Sequence, residues 1–575
     1  MTLDQFATSL VDWVWATPLF FMLLGCGLVF SIVSKFVQVR ILTHGYACIR
    51  GHYDRPEDVG QISHFQALCA ALSATVGLGN IAGVAVAVSL GGPGAVFWMW
   101  VVGVFGMALK FMECSLAVMY RDVRNGDDSS GADTEVRGGP MWYIQKALVD
   151  PLRKRGNPLW FVFKILAVLF AVATILNSFG GGNMFQGWNI ADMLHKHFDV
   201  KPVISATIVS ILVAAVIVGG IKRIGTVASK LVPIMCVFYV AGAMYVILQH
   251  ATEVPYYLAL IVKSAFTPVA ESGACAGVSV WIAFQWGLKR ACFSNEAGEG
   301  SAAMAHAAAK TDQPIREGVV AGIGPFVDTI IICTMSALVL LMSGAWNRPA
   351  VGAVASVGDG VVVVECQHDL PEKFEPLYLA RVRVGGTLGV QIVRNAQQNL
   401  KTLALPITNI ERSDETSWAG ITTITLDTSR LEGDDREKVG DIAVGQFVDL
   451  DITGADLTGF AFDTVLIGFG KWMVTLGVCL FGFSTMLSWS YYGETGAEYL
   501  LGPKAILPFK FVFVIFVFFG MVLEKFQTIY DFSDATTGMM VLCNLPAVLI
   551  LSPVVIRATR EYFRRLKAGE FPRRD

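Results

Sequence analysis

Long apolar runs separated by short polar loops dominate the chain. A helix needs roughly 20 apolar residues to cross a bilayer. The pattern predicts an all-α polytopic membrane protein with eleven transmembrane helices, while the shorter run Pro255–Phe266 is predicted to be interfacial or re-entrant. The predicted spans are Trp15–Ser34, Ser63–Leu90, Pro93–Tyr120, Trp160–Leu194, Val203–Val218, Leu231–Leu248, Gly277–Lys310, Val319–Leu341, Phe462–Tyr492, Pro508–Leu523 and Thr536–Ile556.

Two of these spans contain a polar, glycine-rich interruption. The first is TVGLGN at Thr75–Asn80, and the second is FSNEAGEGS at Phe293–Ser301. Glycines in membrane helices often serve close helix packing, which is the alternative interpretation. Because both segments combine Gly-x-Gly with an asparagine, we interpret them as broken helices. They lie five spans apart, and an odd offset reverses the chain direction across the membrane, as a five-plus-five inverted repeat requires.

The stretch 343–461 differs in kind from the rest of the chain. Its β-branched runs are separated by polar turns, which predicts a small β-rich domain. The chain therefore divides into a first part of the membrane domain (1–342), the insert (343–461) and a second part with a basic tail (462–575). A lid, a surface for an extracytoplasmic partner and a passive addition are all compatible with the insert. Its predicted strands are Gly360–Val364, Tyr378–Val384, Gly389–Val393 and Ile421–Leu426.

Charge is sparse and unevenly placed. Only 16% of residues are charged and 54% are hydrophobic, against about 25% charged in soluble domains. This composition predicts lipid, and not nucleic acid, as the surroundings. Lys and Arg mark cytoplasmic loops, and they follow the first, third, fifth and seventh spans and fill the C-terminal tail. We expect a multi-pass inner-membrane protein with a cytoplasmic C-terminus and an extracytoplasmic N-terminus and insert.

The broken helices suggest what the protein binds. A half-helix that starts within the membrane offers free N–H groups and a positive dipole end, which suit a carboxylate. Free carbonyls together with Ser and Thr hydroxyls suit Na⁺. Ser484, Thr485 and Ser488 share one helix face, with Trp489 beside Thr485. Such hydroxyls commonly bond their own i−4 carbonyl, so the face alone permits either role, as does the polar side chain of Gln186.

Acidic side chains are few within the predicted spans, which argues mildly against a proton relay. We expect Glu296 and Glu299 to pair with Lys289 or Arg290 at the inner end of their span. No nucleophile–base pair and no metal-ligand spacing is evident, so an enzyme is not predicted. The eleven cysteines are scattered, mostly in apolar runs, and are expected to be small buried hydrophobes.

Several motifs resemble those of one transporter family. GGPGAVFWMWVVGVFG at Gly91–Gly106 is similar to the signature of the alanine/glycine:cation symporter family. The segments at His64–Ala85, Lys289–Ala302 and Ser488–Glu494 also resemble that family, and the likeness covers nearly all spans but not the insert. The resemblance implies a leucine-transporter-like fold, with spans two to six and seven to eleven as the two repeats.

The same resemblance implies Na⁺-coupled uptake of small neutral amino acids, chiefly alanine or glycine. The substrate carboxylate would lie at the amides of Leu78 and Gly79. Family members often carry Thr or Ser where Leu78 stands, so a narrower pocket is expected here. The implied substrate-binding residues are Thr75, Leu78, Gly79, Gln186, Phe293, Ser294, Asn295, Thr485 and Trp489. The implied sodium ligands are the carbonyls of Ser73 and Val76 and the hydroxyls of Ser484 and Thr485.

Two other functions stay open from the sequence. One is a proton-coupled amino-acid carrier of the same fold, which uptake driven by a pH gradient without Na⁺ would reveal. The other is a transporter-derived amino-acid sensor, in which the outer β domain signals through a degenerate carrier. The intact interruptions in both broken spans favour a working transporter.

Overall fold

A bundle of apolar helices forms most of the protein. The computed structural model describes residues 3–571 apart from residues 16, 56, 125–134, 269–277, 359–360, 368–369, 372, 385, 393–400, 413–417, 419–420, 430–441, 443, 445, 451 and 524–525. The α-helices before the insert are Leu3–Val14, Thr17–Val33, Val37–Ile49, His64–Thr75, Val84–Gly91, Gly94–Met119, Pro140–Ile144, Asp150–Lys154, Leu159–Phe179, Phe185–Phe198, Pro202–Ile217, Gly220–Gln249, Val254–Ser264, Val280–Asn295, Ala302–Ala307, Pro314–Ala321 and Thr334–Ser343. Those after it are Gly454–Asp463, Gly470–Leu501, Ile506–Val522 and Phe526–Lys567.

Wider π-helical turns interrupt or extend several of these helices. They occur at Gly79–Gly83, Gln145–Val149, Gly180–Met184 and Phe326–Cys333. Such turns are rare and concentrate at functional sites. Short 3₁₀ turns lie at Ala251–Glu253, Ala345–Asn347 and Pro503–Ala505.

Within the described residues, seven helices are long and apolar enough to cross a membrane. The number rises to nine if each of two bent pairs counts as one span, namely Thr17–Val33 with Val37–Ile49 and His64–Thr75 with Gly79–Gly91. The chain is therefore a multi-pass membrane protein. The remaining two predicted spans correspond to the short helix Pro202–Ile217 and to the pair Val280–Asn295 and Ala302–Ala307.

Burial separates an inner set of helices from an outer set. In the helix Gly470–Leu501, 78% of the most apolar stretch is buried inside the protein, whereas only 28% is buried in Gly220–Gln249 and in Leu159–Phe198. The outer helices still expose large apolar side chains, such as Ile211 and Val237. A helix that is apolar all round belongs inside protein or lipid, so the outer helices are suited to face lipid.

The β-rich insert closes into a six-stranded antiparallel barrel. Three predicted strands are confirmed within a few residues. The run Tyr378–Val384 was wrongly predicted as a strand, since Glu375–Arg381 is helical. Pro376 in its first turn fixes a helical φ, and the Tyr378 ring packs against Phe460 of the helix Gly454–Asp463. Around the barrel the strands are Gly352–Gly358, Val361–Cys366, Ile421–Asp427, Lys401–Arg412, Thr387–Ile392 and Phe447–Leu450, with the last pairing to the first. A separate two-stranded sheet pairs Asp122–Arg124 with Glu135–Arg137.

An ion pair joins the helix Glu375–Arg381 to the helix Gly454–Asp463. Arg381 donates two hydrogen bonds of 2.9 Å to the carboxylate of Asp456. Burial alone would raise the pKa of Asp456, but His197 and Arg381 together hold it below its ordinary value. Asp456 lies on the helix Gly454–Asp463, whose Thr458 hydroxyl donates to the Ile81 carbonyl at 3.2 Å. The insert is thus connected, through one short helix, to the π-helical turn that follows the first interruption.

Candidate functional site

The first broken helix consists of His64–Thr75 and Gly79–Gly91, which meet at a bend of 50°. A capping box between Ser63 and Gln66 fixes where the first half begins, by satisfying two otherwise free N–H groups. The helix ends at Thr75 because Val76 turns to an extended conformation with ψ of 90°. The predicted interruption at Thr75–Asn80 is therefore present as a break at Val76 and Gly77, after which the chain resumes as the π-helical turn Gly79–Gly83.

Asn80 holds this unwound segment in place and ties it to the second broken helix. Its side-chain oxygen accepts from the Gly77 N–H at 2.8 Å. Its side-chain NH₂ donates to the Ser294 hydroxyl and to the Asp328 carbonyl, both at 3.0 Å. Asn80 is completely buried. One side chain thus satisfies polar groups on three separate segments, as a membrane interior requires.

The second broken helix consists of Val280–Asn295 and Ala302–Ala307. Between the two halves, Glu296, Gly298 and Gly300 all have positive φ. Glycine adopts that conformation without steric cost, which explains the Gly-x-Gly. The second half ends at Ala307, three residues before the end of the predicted span Gly277–Lys310. Ala309 instead forms an isolated β-bridge with Ile62.

Backbone and side-chain oxygens converge beside the first interruption. The Ser73 carbonyl accepts from the Ser484 hydroxyl at 3.2 Å and from the Thr485 hydroxyl at 3.1 Å. Both hydroxyls also lie 2.9 Å from the Phe481 carbonyl of their own helix. Ser488 joins the group, with its hydroxyl 2.5 Å from that of Ser73. The shared helix face predicted for these hydroxyls therefore contacts the end of the broken helix.

A narrow cavity lies between the two interruptions and the helix Gly470–Leu501. The space open to a water-sized sphere is about 20 Å³, which is close to the minimum for one water molecule. Seven of the nine residues predicted to bind substrate line it: Thr75, Leu78, Gly79, Gln186, Phe293, Thr485 and Trp489. Residues that the sequence analysis did not assign to the site also line it: Ala74, Asn177, Gly181, Glu296, Glu299 and Thr537.

The two other predicted substrate residues lie beside the cavity without lining it. The Ser294 hydroxyl accepts from Asn80. The Asn295 side chain donates to the Thr329 hydroxyl at 3.2 Å and accepts from the Ala297 N–H at 2.9 Å. Both side chains thus hold the second interruption in shape. Sequence alone could not separate these roles, because neighbouring residues in unwound backbone do not follow a helical face.

The expected pairing of Glu296 and Glu299 with Lys289 or Arg290 is wrong. Lys289 and Arg290 both pair with Asp534, at 2.6 and 3.0 Å. The backbone turns at Glu296 with φ of 53°, which redirects both glutamates away from that helix. Glu296 instead accepts from the Ser301 hydroxyl at 2.6 Å, and both glutamates line the cavity. Asp534, the acidic partner of Lys289 and Arg290, lies more than 200 residues further along the chain, so no local sequence signal reveals the pairing.

The face of Trp489 packs directly on the polypeptide backbone of the triple-glycine turn. A Cβ added to Gly182 would lie 2.3 Å from the Cβ and Cγ of Trp489, far inside van der Waals contact. Gln186 continues this turn and donates to the Gly181 carbonyl at 3.0 Å. Within the described residues, its own side-chain oxygen is buried without a hydrogen-bond donor. The absence of a side chain at Gly182 therefore sets the position of the Trp489 ring against the cavity.

Comparison with known proteins identifies the family. The model of the sodium:alanine symporter family matches residues 1–364 and 441–575. The chain belongs to the sodium:alanine symporter family. Residues 365–440, which the family model does not match, lie within the insert.

Curated members of this sodium:alanine symporter family resemble the chain over most of its length. A sodium/alanine symporter of Methanococcus maripaludis is 34% identical over 96% of this chain and 95% of its own. A putative sodium/proton-dependent alanine carrier of Bacillus subtilis is 29% identical over 99% and 94%. A probable sodium/glutamine symporter of Bacillus subtilis is 30% identical over 98% and 91%. The family consists of transporters and not of enzymes, and it points to sodium as the coupling ion.

Proposed function

We propose that this protein couples the inward movement of Na⁺ to the uptake of alanine, and of glycine as a second substrate. The observation that carries the proposal is the convergence of the Ser73 carbonyl with the Ser484 and Thr485 hydroxyls beside the unwound backbone. Ser73 lies in the last turn of the helix His64–Thr75, just before the interruption. The Val76 carbonyl would complete the sodium ligands there. Oxygen groups at a broken helix are the type of site at which secondary transporters hold Na⁺.

The substrate carboxylate would lie at the amides of Leu78 and Gly79. The second half of the first broken helix begins there, so its N-terminal N–H groups and dipole favour a negative charge. The side-chain oxygen of Gln186 would accept from the substrate ammonium group. Thr75 and Thr485 would line the polar side of the pocket, and Ser294 and Asn295 would support it from behind.

The pocket would select substrates by size. Leu78, Phe293 and Trp489 give it an apolar wall, and its open space is small. The side chains of alanine and glycine are the smallest among the amino acids and need little space. A leucine at position 78 leaves less room than the Thr or Ser of many family members, which favours the smallest neutral amino acids over glutamine.

Transport would proceed by alternating access in a five-plus-five inverted repeat of eleven spans. Na⁺ would stabilise the unwound geometry, and the amino acid would then cap the second half-helix. Joint occupancy would allow the bundle to rock and open to the cytoplasm. In this arrangement the protein lies in the inner membrane, with the C-terminus in the cytoplasm, the N-terminus and barrel outside, and the barrel free to meet an extracytoplasmic partner.

Uptake of labelled alanine into proteoliposomes tests this function. We expect accumulation above the outside concentration with an inward Na⁺ gradient and loss of accumulation when choline replaces Na⁺. Unlabelled glycine should compete strongly and glutamine weakly. Failure of alanine and glycine to accumulate with Na⁺ would reject the proposal, and accumulation against a gradient would reject the sensor alternative.

Proton coupling is the second candidate, because two glutamates lie on the cavity wall. Within the described residues, one buried oxygen of Glu299 has no hydrogen-bond donor, and intramembrane carboxylates commonly mark proton pathways. A relative is named for both sodium and proton dependence. Uptake driven by an inward pH gradient without Na⁺, and lost in Glu299→Gln, would favour this candidate over the first.

Gly182→Ala is expected to lower alanine uptake severalfold. Its methyl group would overlap the Trp489 side chain, so the ring must shift into the cavity or the two helices must separate. Gly180→Ala is the matched control, because its Cβ would come no closer than 3.3 Å to the Phe532 ring, which a small movement relieves. Equal uptake by the two variants would show that the position of Trp489 does not limit transport.

A further inference from the structure

A second, larger cavity lies far from the candidate transport site. Its volume is about 570 Å³, and it lies between the bend that follows the first apolar helix and the last turns of the C-terminal helix Phe526–Lys567. Among the described residues that line it, none is acidic and five are basic: Lys35, Arg40, Arg560, Arg564 and Lys567. The positive charge of these side chains favours an anionic ligand in the cavity.

Most of this positive charge is not neutralised by the protein. Arg564 pairs with Glu561 at 2.6 Å and with Glu570 at 3.9 Å. In the part of the chain that the structure describes, no ion pair reaches Lys35, Arg560 or Lys567. Arg40 lies over the Phe563 ring at 4.9 Å, a contact that leaves its charge in place. The hydroxyl of Thr559 is bonded to the Val555 carbonyl of its own helix, so the basic side chains define the chemistry of the cavity.

The backbone is bent in a way that builds this cavity. Thr17–Val33 and Val37–Ile49 meet at 74°. Of the three residues between them, Lys35 and Phe36 have positive φ, at 57° and 51°. Non-glycine residues adopt this conformation only at a steric cost. The turn directs the helix Val37–Ile49 away from the axis of Thr17–Val33. Lys35 and Arg40 therefore line the cavity together with residues of the C-terminal helix.

An apolar surface continues outward from the basic cavity. On the helix Val37–Ile49, Val39 is 63% exposed and Tyr46 is 58% exposed, and Phe36 at the turn is 59% exposed. Val33 and Leu566 bring apolar groups into the cavity wall itself. Cations beside exposed apolar and aromatic side chains are the arrangement expected at the level of lipid headgroups.

We propose that this cavity, lined by Lys35, Arg40, Arg560, Arg564 and Lys567, binds the phosphate headgroup of an anionic phospholipid. The acyl chains lie along Phe36, Val39 and the outward face of that helix. Basic pockets between membrane helices recognise anionic headgroups through charge. This site is independent of the transport function proposed above, and its loss leaves the residues around both interruptions intact.

Native mass spectrometry of the full-length, detergent-purified protein tests the proposal. Phosphatidylglycerol and phosphatidylcholine are added at equal concentrations. We expect preferential retention of phosphatidylglycerol, weakened by salt because screening reduces charge attraction. Equal retention of both lipids by the wild-type protein overturns the proposal without any variant. Displacement of phosphatidylglycerol by millimolar inorganic phosphate also overturns it, because the cavity would then be a site for a free anion.

A charge-removal variant locates the lipid. Arg40→Gln/Arg560→Gln/Lys567→Gln should retain phosphatidylglycerol roughly tenfold less than the wild type, since each basic group near an anionic lipid contributes to binding. The matched control is Arg153→Gln/Lys154→Gln/Arg155→Gln, which removes the same charge from three exposed residues at the end of the helix Asp150–Lys154. The control should retain the lipid. Unchanged retention in the first variant, or equal loss in both, contradicts the assignment of the cavity.

Discussion

Asn80→Ala is expected to reduce Na⁺-driven alanine uptake to background. The substitution removes the acceptor for the Gly77 N–H and the donor to the Asp328 carbonyl, which lie 2.8 and 3.0 Å from Asn80. Each buried polar group left without a partner costs about 1–3 kcal/mol. The unwound segment would then lose its fixed shape, and with it the amides proposed to hold the substrate carboxylate. Uptake in proteoliposomes measures the effect.

Asn189→Ala is the matched control for this experiment. Asn189 is also buried, but its side chain donates to the Phe185 carbonyl within its own helix, at 2.8 Å. We expect uptake close to that of the wild type. Substantial uptake by Asn80→Ala would mean that the interruption holds its geometry without this side chain. Equal losses in both variants would mean that burial of an amide, and not its bonds to the interruption, is what matters.

Ser484→Ala/Thr485→Ala should raise the Na⁺ concentration for half-maximal uptake by about tenfold or more, equivalent to roughly 1.4 kcal/mol of binding free energy. Both hydroxyls contact the Ser73 carbonyl, so the variant removes two of the proposed oxygen ligands and leaves the backbone ligands. The maximal rate at saturating Na⁺ should fall less than the affinity does. Initial rates of alanine uptake across a Na⁺ series provide the measurement.

The same helix supplies a control with matching chemistry. In Ser490→Ala/Thr495→Ala, the lost hydroxyls donate only to the Leu487 and Tyr491 carbonyls of their own helix, at 2.7 and 2.9 Å. This variant should keep the wild-type Na⁺ dependence. If Ser484→Ala/Thr485→Ala also keeps it, the sodium site lies elsewhere.

Elements with strong local signals were predictable from the sequence. The two interruptions carry Gly-x-Gly and asparagine, and the helix is broken within both. Most apolar runs became helices within a few residues, because length and hydrophobicity determine a membrane helix. The prediction of a strand at Tyr378–Val384 was wrong because aromatic and β-branched residues favour a strand locally, whereas Pro376 and the packing of the Tyr378 ring against Phe460 favour a helix.

Contacts between distant segments were not predictable. Asp534 pairs with Lys289 and Arg290 across more than 240 residues, and this pairing frees Glu296 to line the cavity. Thr537 and Asn177 reach the same cavity from two further helices. A helix face can be read from one segment, but the face that meets another segment depends on tertiary packing. The family resemblance supplied part of that information, for the residues its motifs contain.

The most direct test of the central claim measures both fluxes in the same proteoliposomes. Labelled Na⁺ and labelled alanine are followed together at fixed membrane potential. We expect external alanine to accelerate Na⁺ influx and external Na⁺ to accelerate alanine influx, with both effects reduced in Ser484→Ala/Thr485→Ala. Alanine influx that neither depends on Na⁺ nor carries it would contradict Na⁺-coupled symport at the broken helix.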